Sequence, residues 1–230
     1  MLHIIAMGGY EIDGPSGPPS ELERYLFAAA GVARPRVCLV PTATGDSPLM
    51  RERFAEIAEG LEVEPSVLEL FDRTIEDLDA FLDRIDVLYV SGGNTANLLA
   101  VWRVQGLDGA LARRAAGRDL VVGGASAGGM CWFEGGLTDS FGRETRALHD
   151  GLSWLSGTFC PHFHADPRKG RYQKMVGRGD LRPGWGIDDG AAIHMIDGEF
   201  HRAIRAADDA RAYRVDASGA HVVACDDIRR

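Results

Sequence analysis

A chain of 230 residues, 45% of them hydrophobic, is the size of one large domain with enough apolar material for a full core. Its formal charge of -9 repels phosphate backbones and anionic membrane surfaces, and no run of Lys or Arg overrides that balance locally, so neither nucleic acid nor membrane is expected as a partner. The four cysteines, Cys38, Cys131, Cys160 and Cys225, show neither zinc-site spacing nor disulfide density, and the N-terminus has no basic leader or signal-length apolar run. Reduced thiols in a soluble cytoplasmic protein are the expectation.

Through the first 130 residues, short apolar runs at 2–7, 36–41, 66–70, 87–90 and 120–123 alternate with helical patterns. Several runs are apolar throughout, as strands covered on both faces are. After the second run, "TGDSPLMRERFAEIAEGL" offers Asp46 or Ser47 as an N-cap with Pro48 in the first turn; after the third, "RTIEDLDAFLDRI" opens with Thr74 and, three residues on, Asp77, an approximate capping box. The repeated order predicts a doubly wound α/β fold with a mainly parallel sheet flanked by helices. Beyond residue 135 the chain turns Gly- and His-rich. "AAIHMIDGEFHRAI" and "AYRVDASGAHVVAC" then each place an Asp-Gly or Ser-Gly turn between β-prone runs, which predicts hairpins and a sheet finished by antiparallel strands. No linker or repeat suggests a boundary, so residues 1–230 read as one domain.

In a doubly wound sheet, ligands bind beyond the carboxyl ends of the strands, which directs attention to the loops "GGY" (8–10), "PTATGD" (41–46), "SGGNT" (91–95) and "GASAGG" (124–129). The last matches G-x-S-x-G, in which a strained strand-turn-helix holds a serine outward between small residues. Ser126 is thus a candidate nucleophile; a tight turn or an anion cradle is the plainer alternative. A serine needs a base, and the base needs an orienting acid. Of His3, His149, His162, His164, His194, His201 and His221, the best placed is His162 in "TFCPHFHADP", where Pro161 and aromatic residues fix a loop, with His164 as its rival. "GWGIDDGAAIHM" presents Asp188 and Asp189 before a β-run, and a one-residue uncertainty in register exchanges them. The order Ser, His, Asp differs from the Ser, Asp, His of α/β-hydrolases. Oxyanion donors are available from the Ala127 N–H and from Gly92 or Gly93.

With these residues in place, the chain resembles peptidase family S51, the peptidase E (aspartyl dipeptidase) and cyanophycinase group, whose sheet is similar to that of class I glutamine amidotransferases. The resemblance runs through "IIAMGG", "VCLVPTATGD", "LYVSGGNTANLL", "GASAGGMCWF", "CPHF" and "GIDDGAAIHMIDG". It implies Ser126 as nucleophile, His162 as general base, Asp189 as acid, and an oxyanion hole from Gly93 and Ala127. Asp139 falls where the family has an acidic residue near the site, suited to a substrate amino group; Asn94, Arg168 and Arg171 are further candidate substrate contacts. The best-known aspartyl dipeptidases carry Glu as the third triad member and a longer loop after "PHF"; here the acid is Asp and the loop reads "HADPRKGRYQK", so a preference for Asp at P1 does not carry over.

The implied activity is serine hydrolysis of a dipeptide or short peptide through an acyl-enzyme, without cofactor, and no ligand spacing for a metal is recognisable. A cyanophycinase-like or deglycase-like hydrolase would keep the triad and change the pocket. A glutamine amidotransferase would need Cys at the elbow, and Cys131 lies five residues too far along. A non-catalytic metabolite-binding module could use the same glycine-rich loops. The oligomeric state is left open, a homodimer included.

Overall fold

The architecture follows from how the apolar runs alternate their side chains. The computed structural model describes residues 1–10 and 18–229. In chain order the first half comprises β1 (Leu2–Met7), α1 (Glu21–Ala28), β2 (Arg36–Val40), α2 (Pro48–Glu59), β3 (Glu64–Val67), α3 (Leu78–Leu82), β4 (Val87–Val90), α4 (Thr95–Gln105), α5 (Leu107–Gly117) and β5 (Leu120–Ala125). There follow α6 (Ala127–Met130), β6 (Phe133–Thr138), β7 (Arg146–Leu148), β8 (Leu155–Cys160), α7 (Arg168–Arg178) and β9 (Gly184–Ile187). The chain ends with β10 (Ala191–Ile196), β11 (Glu199–Arg205), β12 (Ala212–Asp216), β13 (Gly219–Val223) and β14 (Cys225–Asp227).

Eight strands form one sheet in the order β14-β11-β10-β1-β5-β4-β2-β3. The five strands from β1 to β3 in that order are mutually parallel, whereas β10 pairs antiparallel with both β1 and β11. Because side chains alternate along a strand, Ile4, Cys38, Val40, Leu88 and Val122 enter one core, while Ile5, Val37, Leu39, Val87 and Val121 enter the other. On the second face lie α1 and α2, contributing Leu22, Leu26, Phe54 and Ile57; on the first lie α4 and α5, with Leu98, Trp102 and Leu111.

A second, six-stranded sheet, β13-β12-β9-β8-β6-β7, was not expected from the sequence. Its residues Phe133, Leu155, Phe159, Trp185 and Ile187 share the core on the α4/α5 side of the first sheet, and α7 covers its outer face with Tyr172 and Val176. The two predicted hairpins form, with turns at Asp197-Gly198 and Ala217-Ser218, but only β10–β11 finishes the first sheet; β12–β13 belongs to the second. Among the described residues no helix is long and apolar enough to cross a membrane.

Two elements depart from expectation. The strand read at 66–70 is Glu64–Val67, because the buried Asp46 carboxylate accepts the N–H groups of Leu70 (2.6 Å) and Phe71 (2.8 Å) and draws that segment out of the ladder. The helix read from Thr74 begins only at Leu78, capped by Asp77, since the Arg73 guanidinium donates to the carbonyls of Ile75 and Glu76 and holds the preceding residues as a loop. The other start is as read, with Ser47 and Pro48 opening α2.

The strand histidines form a cluster of their own. His194 is 5% exposed, with its ring nitrogens 2.9 Å from His3 Nδ1 and 2.8 Å from the Tyr25 hydroxyl. Burial lowers its pKa from 6.5 to about 4. An unfolded chain therefore takes up this proton first as pH falls, so stability present above pH 6.5 is lost progressively down to about pH 4. Urea midpoints between pH 7 and 4 should fall accordingly, and the fall should shrink in His194→Asn.

Candidate active site

Four chain segments meet at the carboxyl edge of the parallel strands. Ser126 N donates to Met7 O at the end of β1, Ser91 N donates to Val40 O at the end of β2, and Asn94 N donates to Ala43 O in the loop that follows β2. Ser126 sits between β5 and the four-residue α6 with φ 55° and ψ -110°, a sparsely populated backbone conformation. Its flanking glycines explain the spacing: a Cβ on Gly124 would lie 1.9 Å from Val90 O, and one on Gly128 would lie 2.2 Å from the same atom. Only glycine at both positions lets the turn press against the end of β4. The Ser126 hydroxyl is half-buried and has no hydrogen-bond partner among the described residues.

The second sheet carries the expected base and acid. His162 follows β8 and Asp189 follows β9, which are parallel neighbours, so both side chains arise at the same edge. His162 Nδ1 lies 2.6 Å from Asp189 Oδ1, with the two side chains 33% and 36% exposed. This separation is that of a hydrogen bond in which the imidazole N–H donates to the carboxylate, leaving Nε2 free to accept a proton. Phe163, wholly buried, fixes the turn: its N–H donates to Ile187 O, and its ring lies against Gly186 and Tyr213.

Register separates the two acids. Asp188 is 4% exposed; its Oδ2 accepts the Arg211 N–H at 3.1 Å and its Oδ1 has no partner among the described residues. Burial pushes its pKa up, so it suits a structural tie and not an ion-stabilising role. Asp189 faces His162.

The first and second sheets are joined where the site lies. Gly9 bridges Asp189, and Gly190 N donates to Gly9 O. A Cβ on Gly9 would stand 1.9 Å from Asp189 Oδ1 and 2.9 Å from His162 Nδ1, so the backbone two residues beyond β1 lies directly against the His–Asp pair. The next residue is held from below: the Tyr10 hydroxyl lies 2.6 Å from that of Tyr89, which donates to the buried Glu23 at 2.6 Å. "GGY" was read only as a strand-to-helix loop, and the contact of Gly9 with the pair had no signal beyond the paired glycines.

The loops expected to supply oxyanion donors present unpaired backbone N–H groups. The N–H groups of Gly92, Gly93 and Ala127 meet no acceptor among the described residues, and the Cα of Gly92 faces Ser126, a Cβ there standing 3.6 Å from that of the serine. Asn94, expected at the substrate, is engaged within the protein: Oδ1 caps α4 by accepting the Asn97 N–H, and Nδ2 donates to Ser140 O. Asp139 and Arg168 pair with each other at 2.6 Å, and Arg171 reaches Thr145 Oγ1 at 3.4 Å. The segment at 139–145 is thereby tied to the start of α4 on one side and to α7 on the other. Among the described residues no group of three or more His, Cys, Asp or Glu is placed to hold a metal ion. Cys131 is buried, with its thiol pushed well above the usual range by burial.

The serine on its strained turn and the hydrogen-bonded His–Asp pair both lie next to the segment that follows β1, through Met7 O and Gly9 respectively. The family model of Peptidase family S51 matches residues 4–203, and the chain belongs to this serine-type peptidase family. It is 41% identical over 218 residues, 94% of this chain and 92% of the relative, to the uncharacterized peptidase YgaJ of Bacillus subtilis (strain 168). It is 25% identical over 206 residues, 85% of this chain and 68% of the relative, to a cyanophycinase of Nostoc sp. (strain PCC 7120 / SAG 25.82 / UTEX 2576). A solved structure from Listeria monocytogenes EGD-e, described as a candidate peptidase E protein, shares the fold with a TM-score of 0.64 at 20% identity, covering 90% of this chain and 100% of that one.

Proposed function

We propose that the protein is a serine peptidase of dipeptides or short peptides, working through Ser126, His162 and Asp189. The observation that carries this reading is the 2.6 Å contact between His162 Nδ1 and Asp189 Oδ1 against Gly9, two residues beyond Met7, whose carbonyl takes the Ser126 N–H. In the reaction, His162 Nε2 takes the Ser126 proton as Oγ attacks the scissile carbonyl, and the N–H groups of Ala127 and Gly93 receive the developing oxyanion. The proton then passes from His162 to the leaving amine, and a water activated by the same imidazole releases the acyl group from Ser126. Asp189 keeps its charge throughout and holds His162 in the tautomer that accepts at Nε2. Asp139, Arg168 and Arg171, on the segment after β6 and at the start of α7, are the charged groups assigned to meeting a short substrate.

The test is a panel of free dipeptides, their N-blocked forms and cyanophycin, the last because of the likeness to cyanophycinases, assayed with wild type and Ser126→Ala. Cleavage of a free dipeptide that is lost in Ser126→Ala supports the reading; cleavage of cyanophycin alone replaces the substrate class, and cleavage unaffected by Ser126→Ala removes the mechanism. Gly9→Ala is a sharper probe of geometry. Its Cβ, 1.9 Å from Asp189 Oδ1, must push the carboxylate away from His162, so kcat should fall by about 100-fold or more with a melting temperature close to wild type.

A further inference from the structure

We propose that His164 is a positioning residue that holds Asp189 from the side opposite His162, an inference that rests on the catalytic reading above. Phe163 is a buried peg between two imidazoles, its N–H bonded to Ile187 O two residues before Asp189, so the residues on either side of it are both carried to the Asp189 turn. His162 meets one carboxylate oxygen, Oδ1, at 2.6 Å. His164 meets the rest of the same residue: its Nδ1 accepts the Asp189 N–H at 3.4 Å, and its Nε2 lies 3.8 Å from Asp189 Oδ2.

These two contacts agree on one protonation state. A ring nitrogen that accepts an N–H carries no hydrogen, so in the neutral imidazole the proton sits on Nε2, the nitrogen turned toward the carboxylate. One ring therefore spans from the backbone of Asp189 to its second oxygen. The side chain of Asp189 is 36% exposed, with Gly9 against Oδ1 and the imidazoles of His162 and His164 at Oδ1 and Oδ2 as the contacts that set its rotamer. The orientation of a catalytic histidine depends on that rotamer, and loss of the comparable outer partners of metal-bound histidines typically costs 10–100-fold in activity. His164 is itself 52% exposed, so it can be replaced without opening a core.

The experiment compares His164→Ala, His164→Asn and His164→Gln in the full chain, reading kcat and KM on a cleaved dipeptide and the downfield proton resonance of the His162–Asp189 hydrogen bond. Asn places an acceptor where Nδ1 stands; Gln reaches toward the Nε2 position. In His164→Ala, kcat should fall by about tenfold with KM unchanged and the resonance should broaden. His164→Asn, which keeps the backbone contact, should recover most of both, and His164→Gln less. An unchanged kcat in His164→Ala overturns the proposal, as does a loss that Asn does not recover while melting temperature drops in step. If Ser126→Ala and His162→Ala keep full hydrolysis, the catalytic reading itself fails; if they lose it while His164→Ala is indistinguishable from wild type, only the role of His164 does.

Discussion

Ser126→Ala should lower kcat by roughly five to six orders of magnitude while leaving the fold intact. The hydroxyl makes no hydrogen bond to a described residue, so its removal disturbs no internal partner, and the methyl group of alanine fits where the serine Cβ already stands. Backbone strain gives this prediction a second readout. With φ 55° and ψ -110°, position 126 sits where side chains are disfavoured, so Ser126→Gly should be equally inactive but more stable than Ser126→Ala by about 1 kcal/mol. Steady-state kinetics and thermal melts of the three proteins check both parts. A serine retained purely for packing would not show the activity loss.

Asp189→Asn should cost about 10⁴-fold in kcat, and Asp188→Asn little. An asparagine at 189 can turn its amide N–H₂ toward His162 Nδ1, which forces the imidazole proton onto Nε2 and removes the base that Ser126 needs. If the asparagine instead turns its carbonyl inward, the imidazolium formed in the reaction still loses its compensating charge. Asp188 lies in the same dipeptide but faces the β12 side, where its Oδ2 takes the Arg211 N–H and its pKa is raised by burial. An amide there keeps that acceptor and changes stability by about 1 kcal/mol. Rates and denaturation midpoints for the pair of variants distinguish the roles, and equal losses in both would contradict the assignment of Asp189.

Much of this was legible in the residues because local rules and tertiary structure agree there. Leu2–Met7 and Val87–Val90 have the bounds read from their apolar runs, since strands covered on both faces need no alternation to be recognised. The glycine spacing around Ser126 signalled a close approach, and the surface approached proved to be the Val90 carbonyl. The second sheet was not legible: β6 reads "FEGGLT", short and glycine-rich, and its parallel partner β8 is chosen by the packing of Phe133 on Phe159 and not by any local pattern. The helix after Ser126 is only one turn because Gly128 and Gly129 favour no helix and Trp132 folds back to donate to Gly128 O. Asp188 and Asp189 could be told apart only once the bridge between Gly9 and Asp189 fixed the register. His164 was weighed as a rival base, and the fold puts it on the far side of the acid. The capping box at Ser20 and Glu23 was readable and overlooked; there Glu23 also accepts from Tyr89, beneath the site.

Whether Ser126 is an activated nucleophile is tested most directly by intact-mass labelling with a fluorophosphonate followed by peptide mapping, on wild type, Ser126→Ala and His162→Ala. One adduct is expected, on Ser126 in wild type, absent from both variants. An adduct that persists in His162→Ala at the wild-type rate, or wild-type protein that takes no label and hydrolyses no dipeptide, would contradict that role.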